Sequence, residues 1–416
     1  MISVEEALSH ILNSISPLDP EKTDILNALG RVIGEDIYSG RNIPPKDNSA
    51  MDGYALRSDD TKGATSEAPA IVESIEDIPA GYPSQKTIGR GQAARIMTGA
   101  FVPEGADTVV KVEDTDREGN RVKIFVESPR GDNIRYSGED VKIGDLVIPK
   151  GKIAGPAEVG MLASLGRSFI TVYQRPLVAI IATGDEIVDV DEDTSGDKII
   201  SSNSYSINAQ VRECGAVALQ TGIAKDREES LIAAFRAASR ADVIISSGGV
   251  SVGDYDFVKD VMAQMGTNIE FWQVAQRPGK PLAFGTMQGK LVFGLPGNPV
   301  SSMITFEEYV RPALLKMMGR EEIFRRTVTA TLMEDVKKKR GLKHFIRARV
   351  KKLGTNFVVS TTGEQGSGIL KSMVLANGII VLPEDISLAK KGDEVTVQLI
   401  DDTFEMSSKP EYLAFQ

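Results

Sequence analysis

The chain is short of the residues from which most metal and redox sites are built. Its 416 residues include one cysteine, Cys214, and two histidines, His10 and His344. A disulfide within the chain is excluded, and a zinc site lacks thiolate or imidazole ligands. Cys214 falls in an expected helix and reads as a buried core thiol. The histidines stand far apart without ligand spacing, so histidine-dependent acid–base chemistry is not expected. No apolar run approaches the ~18 residues needed to cross a membrane. The start, Met1-Ile2-Ser3-Val4-Glu5-Glu6, is acidic rather than basic-then-apolar, so no export signal is read and a cytoplasmic protein is expected. Walker A, GxGxxG, GxSxG and zinc-protease patterns are all missing, which weakens nicotinamide-oxidoreductase and serine-hydrolase readings. Formal net charge is −10, which argues against a nucleic-acid partner held by bulk charge but not against a local basic groove for a small anion.

What is present is a soluble composition, 41% hydrophobic and 25% charged, in a chain too long for one ordinary core. Ser3 and Glu6 fit a capping box ahead of a helix, and a second short helix fits Asp24–Leu29. Residues 56–147 read as short strands between turns. Pro156 starts a helix that Gly166 closes. From Arg175 an α/β rhythm begins, with strands at 176–181, 217–220, 243–246, 281–285 and 291–295. Helices alternate with them over 205–214, 227–239, 256–265 and 300–318. That alternation predicts a doubly wound, mainly parallel sheet. After Gly319, short strands with Gly and Lys turns predict a small barrel or sandwich.

Chemistry concentrates at the predicted strand ends. The strand over 243–246 feeds Ser247-Gly248-Gly249-Val250-Ser251-Val252-Gly253, whose amides can turn toward an anion, and then Asp254 and Asp256. Glu186 and Asp226 fall at other ends of the same sheet. Helix N-termini attract acids for their own reasons, but converging carboxylates repel one another unless a cation lies between them. At least two of these four acids are expected to hold a hard divalent cation, Mg²⁺. Arg277-Pro278-Gly279-Lys280-Pro281 is a stiff basic turn before a strand, suited to an anion. Pro296-Gly297-Asn298-Pro299 sets a helix start at a strand end. Gly366-Ser367-Gly368 and Lys371-Ser372 repeat the theme weakly. These residues predict a Mg²⁺-dependent enzyme acting on an anionic, phosphorylated or nucleotide-like ligand. The 56–147 region would form a second wall, with Asp52 and Asp140 as its acids.

Seven stretches in order resemble one family: Asn48–Ala55 (NSAMDGYA), Arg95–Ala100 (RIMTGA), Gly138-Glu139-Asp140, Thr183-Gly184-Asp185-Glu186, Ser247–Gly253 with Asp256, Pro278–Pro281 and Leu295–Pro299. Together they are similar to the molybdopterin molybdenumtransferases, bacterial MoeA and the E domain of gephyrin. The resemblance implies insertion of molybdate into adenylylated molybdopterin with release of AMP, and a need for Mg²⁺. It implies a multidomain α/β and β fold: a central doubly wound α/β molybdopterin-binding domain flanked by a β domain and a C-terminal β barrel. The boundaries are set at 1–29 for N-terminal helices packing on the α/β domain and at 30–45 with 148–174 for a small linking domain. They continue with 46–147 for the β domain, 175–325 for the α/β domain, 326–402 for the barrel and 403–416 for a loose tail.

The resemblance further implies an elongated homodimer with a cleft shared between subunits and a transient contact with an adenylylating enzyme. Asp52, Thr98 and Asp140 would face that cleft, with Arg135 beside them. Glu186, Asp226 and Asp256 would be acids of the α/β side, with Glu186 and Asp256 on the metal. Lys280 and Arg277 would meet the anionic substrate, and Ser247, Gly248, Gly249, Ser251, Pro296, Pro299 and Ser372 would line the pterin-nucleotide pocket. Two departures stand out. Arg277 replaces the family's usual lysine, and Leu375 replaces a basic residue ahead of Ala376-Asn377-Gly378. They bear on oxyanion preference, so tungstate in place of molybdate remains an alternative, as does a carrier that binds the pterin without turnover.

Overall fold

The computed structural model describes residues 1–249 and 257–401, with Phe404, Met406 and Pro410 beyond them. The chain forms two compact units, one of Met1–Glu21, Gly30–Val32 and Val172–Gln416, the other of Lys22–Leu29 and Ile33–Thr171.

The first unit is organised by a six-stranded sheet. Its spatial order is Val217–Ala224, Leu177–Thr183, Val243–Ser247, Lys290–Leu295, Pro281–Met287, Asn268–Gln273. The first four strands run parallel, and Pro281–Met287 pairs antiparallel with both of its neighbours, Lys290–Leu295 and Asn268–Gln273. The apolar runs that made these strands legible face helices on both sides. Val178, Ile180, Val243 and Ile245 share a core with Ile207, Val211 and Ile304. Ala179, Ile181 and Ile244, one residue out of phase, pack with Leu231, Phe235, Val258 and Met262. The chain leaves Leu177–Thr183 toward Val217–Ala224 on one side and reaches Val243–Ser247 on the other. The crevice at the ends of these two strands is therefore a topological switch point, where such sheets bind ligands.

Helix Val4–Asn13 carries the expected capping box: Ser3 Oγ accepts from the Glu6 amide (3.1 Å) and Glu6 Oε2 from the Ser3 amide (2.7 Å). The long helix from Pro299 to Met317 is interrupted by a π-helical turn at Phe306–Val310. Strands Lys343–Leu353, Asn356–Thr361, Thr327–Leu332, Glu394–Leu399 and Gly378–Leu382 pair in that order, and the last returns to the first to close a barrel.

The second unit holds a six-stranded β sheet ordered Thr108–Lys111, Gly53–Leu56, Gln92–Ile96, Ala70–Ile78, Arg121–Ile124, Thr115–Glu118. Its only helical turns between residues 56 and 147 are two short 3₁₀ segments. The helix expected over Asp24–Leu29 is instead the end of strand Pro20–Asp24 followed by turns. Asp24 Oδ1 accepts from the Leu26 amide (2.8 Å), an Asx turn that competes with helix, and the Ile25 amide bonds to Ser168 O (3.1 Å). Strand Asn268–Gln273 was not anticipated, because at the sheet edge it is only partly apolar. Among the described residues no helix is long and apolar enough to cross a membrane.

Candidate functional site

At the switch point lies a cavity of about 500 Å³ lined by the loops after four strands. Thr183, Gly184, Glu186 and Asp226 form one side, Ser247, Gly248 and Gly249 the floor, and Pro296, Gly297, Asn298 and Pro299 the far side. The glycines are required by geometry. A Cβ on Gly248 (φ +100°) would lie 2.8 Å from Thr183 O and Oγ1, and one on Gly249 would lie 2.5 Å from Val258 Cγ2. The backbone can therefore close in on the neighbouring strand end, and the Gly248 amide bonds to Leu295 O (3.1 Å).

Asn203, at the start of helix Ser202–Glu213, fastens two of these loops. Its Nδ2 donates to Ser247 Oγ (2.8 Å) and to Gly297 O (2.8 Å), and its buried Oδ1 has no partner. Because Gly297 O can only accept, the amide orientation is fixed. The rim is acidic. The Asp226 amide donates to Asp185 Oδ1 (3.3 Å). Desolvation, then the Asp185 and Glu186 charges, push the Asp226 carboxyl above its ordinary range. Uncompensated carboxylates of this kind form an oxygen donor set that suits a hard divalent cation. Among the described residues no cluster of three or more acids, histidines or cysteines has metal-site geometry. Ser251, Asp254 and Asp256 lie outside the described residues.

A second cavity, of about 410 Å³, is basic. Arg277, Pro278, Lys337, Lys338, His344, Arg347 and Gln365 line it. Parallel pairing of Gln276–Arg277 with Lys343–His344 brings the basic turn onto the barrel. Arg347 is 1% exposed. Its Nε donates to Ser372 Oγ (3.0 Å) and its Nη2 to Gly366 O (3.0 Å). Burial and the nearby Arg277 lower its pKa to about 10. His344 is buried, its Nε2 lacks a partner, and burial, Lys338 and Arg277 push it down to about 4. A desolvated cluster with no acid partner in its lining favours an anion. The turn 277–281 joins the two cavities: Arg277 and Pro278 line the basic one, and Pro281 lines the strand-end one.

Glu186, Asp226, Ser247, Gly248, Gly249, Pro296 and Pro299 are thus brought together at one cavity. Arg277 sits in the other, Ser372 is tied to it through Arg347, and Lys280 is exposed at the end of the turn. In the second unit, Asp52 Oδ1 accepts from both the amide and the hydroxyl of Thr98 (2.7 Å each), and these bonds hold its carboxyl below the usual range. Arg135, in strand Ile134–Arg135 paired with Asn48–Ser49, and Asp140, whose amide bonds to Ile43 O (3.1 Å), are exposed. Among the described residues neither forms an ion pair with Asp52.

Sequence reasoning missed Asn203, Lys338, His344 and Arg347. None of them left a signal: Arg347 alternates with Ile346, Ala348 and Val350, a pattern that assigns it to the solvent face, whereas the structure buries it.

Cys214 is buried, and desolvation pushes its thiol up to about 12, which leaves it inert.

Comparison with known proteins agrees with this architecture. Residues 2–166 match the model of the MoeA N-terminal region (domain I and II), 179–316 that of a probable molybdopterin binding domain, and 329–400 that of the MoeA C-terminal region (domain IV). The molybdopterin molybdenumtransferase of Staphylococcus epidermidis is 36% identical over 404 residues, covering 96% of each chain, and that of Staphylococcus aureus (strain COL) is 35% identical over the same length. The crystal structure of a molybdopterin biosynthesis MoeA protein from Pyrococcus horikoshii superimposes with a TM-score of 0.83 at 32% identity, covering 96% of this chain and 99% of that one. With both its sequence and its fold matched over nearly their full length, this chain belongs to the MoeA family of molybdopterin molybdenumtransferases.

Proposed function

We propose that the protein inserts molybdate into adenylylated molybdopterin, releasing AMP and yielding the molybdenum cofactor. The observation that carries this reading is the pairing, across one rigid turn, of a glycine-floored cavity with an acidic rim and a buried basic pocket. Relatives that share the family's name and a third of this sequence support it.

In this reading the strand-end cavity takes the pterin and its phosphates. Gly248 and Gly249 let the phosphates approach the loop backbone closely, and the helix start at Pro299 adds a favourable dipole. Asn203 holds the Ser247 and Gly297 loops at a fixed separation. Glu186 and Asp256, with Asp226 beside them, would hold Mg²⁺, which supplies electrostatic polarisation of the adenylyl phosphates. Arg277, Lys280 and Arg347 neutralise the molybdate dianion, and Ser372 orients Arg347. Asp52 and Asp140 would serve as cleft acids in a homodimer whose cleft is shared between cytoplasmic subunits. A transient contact with the adenylylating enzyme would deliver the pterin.

The test is AMP release from the purified protein given adenylylated molybdopterin and Mg²⁺, with and without molybdate, and with tungstate alongside. Molybdate-dependent AMP, lost in Glu186→Ala, is the expected result. Tight pterin binding with no AMP under either oxyanion would make the protein a carrier, and a tungstate preference would trace to Arg277 and Leu375.

A further inference from the structure

A buried relay holds the turn that carries Arg277 and Lys280. Gln276 has no exposed surface, and its Nε2 donates to the Pro278 carbonyl (3.0 Å). Its Oε1 accepts from the hydroxyl of Tyr309, which is equally buried. Desolvation and the neighbouring Glu308 carboxyl hold the Tyr309 hydroxyl far above its ordinary range, so it stays a donor.

The turn is also held by its own backbone and by close packing at its apex. The Val274 amide donates to Lys280 O (3.0 Å). At the apex, Gly279 has φ +87°, and a Cβ there would lie 2.5 Å from Thr305 Cγ2 and 2.9 Å from Gln276 Nε2. Pro278 and Gly279 are buried while the flanking Arg277 and Lys280 are exposed. Tyr309 itself sits in the π-helical turn Phe306–Val310. Such turns insert an extra residue into a helix and are frequent at functional sites.

The two bonds that satisfy the buried hydroxyl and amide also tie the helix of Tyr309 to the turn that carries Arg277 and Lys280. We propose that Tyr309 and Gln276 are positioning residues for oxyanion capture. They touch no substrate. The relay fixes the backbone from which Arg277 and Lys280 project, so that a tetrahedral oxyanion meets two cations already aimed at it. The inference rests on the molybdate-handling reading of this turn.

The test uses the full-length protein and two variants, Tyr309→Phe and Gln276→Met. Molybdate affinity is read by calorimetry, with and without adenylylated molybdopterin, and the KM for molybdate and kcat by AMP release. Loss of either link is expected to raise the molybdate Kd and KM about tenfold, with kcat at saturating molybdate and pterin affinity within about twofold of the parent. Tyr309→Phe keeps the ring and its packing, so it decides the matter if Gln276→Met does not fold. Unchanged molybdate affinity in Tyr309→Phe, with only a lower melting temperature, overturns the positioning role and leaves the reaction standing. A parent that binds molybdate but releases no AMP overturns the reaction while the calorimetric comparison still decides the relay. A parent that binds no molybdate in either condition overturns both.

Discussion

The two cavities of the larger unit are built by opposite means. The strand-end cavity is made of backbone: glycine loops, a helix start, and an asparagine that joins them. Its ionisable groups are acids, and burial, with the Asp185 and Glu186 charges, raises Asp226. The basic pocket is made of side chains drawn from residues 277, 337, 338, 344 and 347, and burial lowers His344 and Arg347. Burial leads each of these shifts, and like charges add to it: carboxylates at the cavity, cations in the pocket. The cavity therefore calls for a cation alongside its anionic ligand, and the pocket calls for an anion. A reaction that joins a phosphorylated pterin, held with a divalent ion, to a free oxyanion needs both.

The largest expected effect tests the pocket. Arg347→Ala removes the charged donor that Ser372 Oγ and Gly366 O share. Molybdate-dependent turnover at limiting molybdate should fall on the order of 100-fold, with a loss of about 2–4 kcal/mol in denaturant unfolding. Pterin affinity should stay near that of the parent. If both ligands weaken equally, the two cavities are not separate in function.

The next effect is one of pH. His344 has a folded pKa of about 4 against an ordinary 6.5. As pH falls, the unfolded chain takes up the proton first. The stability associated with neutral His344 is therefore present above 6.5 and lost as pH falls toward 4, on the order of 2–3 kcal/mol. Unfolding free energy measured across that range should show less acid loss in His344→Gln. Molybdate binding should oppose the loss in the parent, because an anion favours protonated His344. An identical acid limb in parent and variant would remove His344 from the pocket's electrostatics.

The smallest effect belongs to the cavity. Gly248→Ala places a Cβ 2.8 Å from Thr183 O at a positive φ. A cost of about 1–2 kcal/mol in stability is expected, together with weaker pterin binding and intact molybdate affinity. Calorimetry with each ligand separately would show it.

The same contrast explains what the sequence disclosed. Strand-end loops are local. A buried strand such as Val243–Ser247 followed by Gly248-Gly249 reads directly as strand and turn, and the sheet order then brings Glu186, Asp226 and Pro299 to one edge. The capping box at Ser3 and Glu6 was legible for the same reason. The basic pocket depends on register. Only the pairing of Arg277 with His344, and of Lys343–Leu353 with its neighbours in the barrel, gathers its side chains. Nothing within a few residues of Lys338 or His344 announces a partner 60 positions away. Asn203 was hidden likewise, since an asparagine in the first turn of a helix ordinarily signals a cap. The turns after Asp24 were misread because an Asx bond, invisible to apolar periodicity, ended the helix pattern.

The most direct measurement compares AMP release at limiting and saturating molybdate in the parent, Glu186→Ala and Arg347→Ala. The account predicts that Arg347→Ala regains much of its rate as molybdate rises, whereas Glu186→Ala stays slow at every concentration. Equal recovery, or equal failure, in both variants would contradict a division of labour between the acidic cavity and the basic pocket.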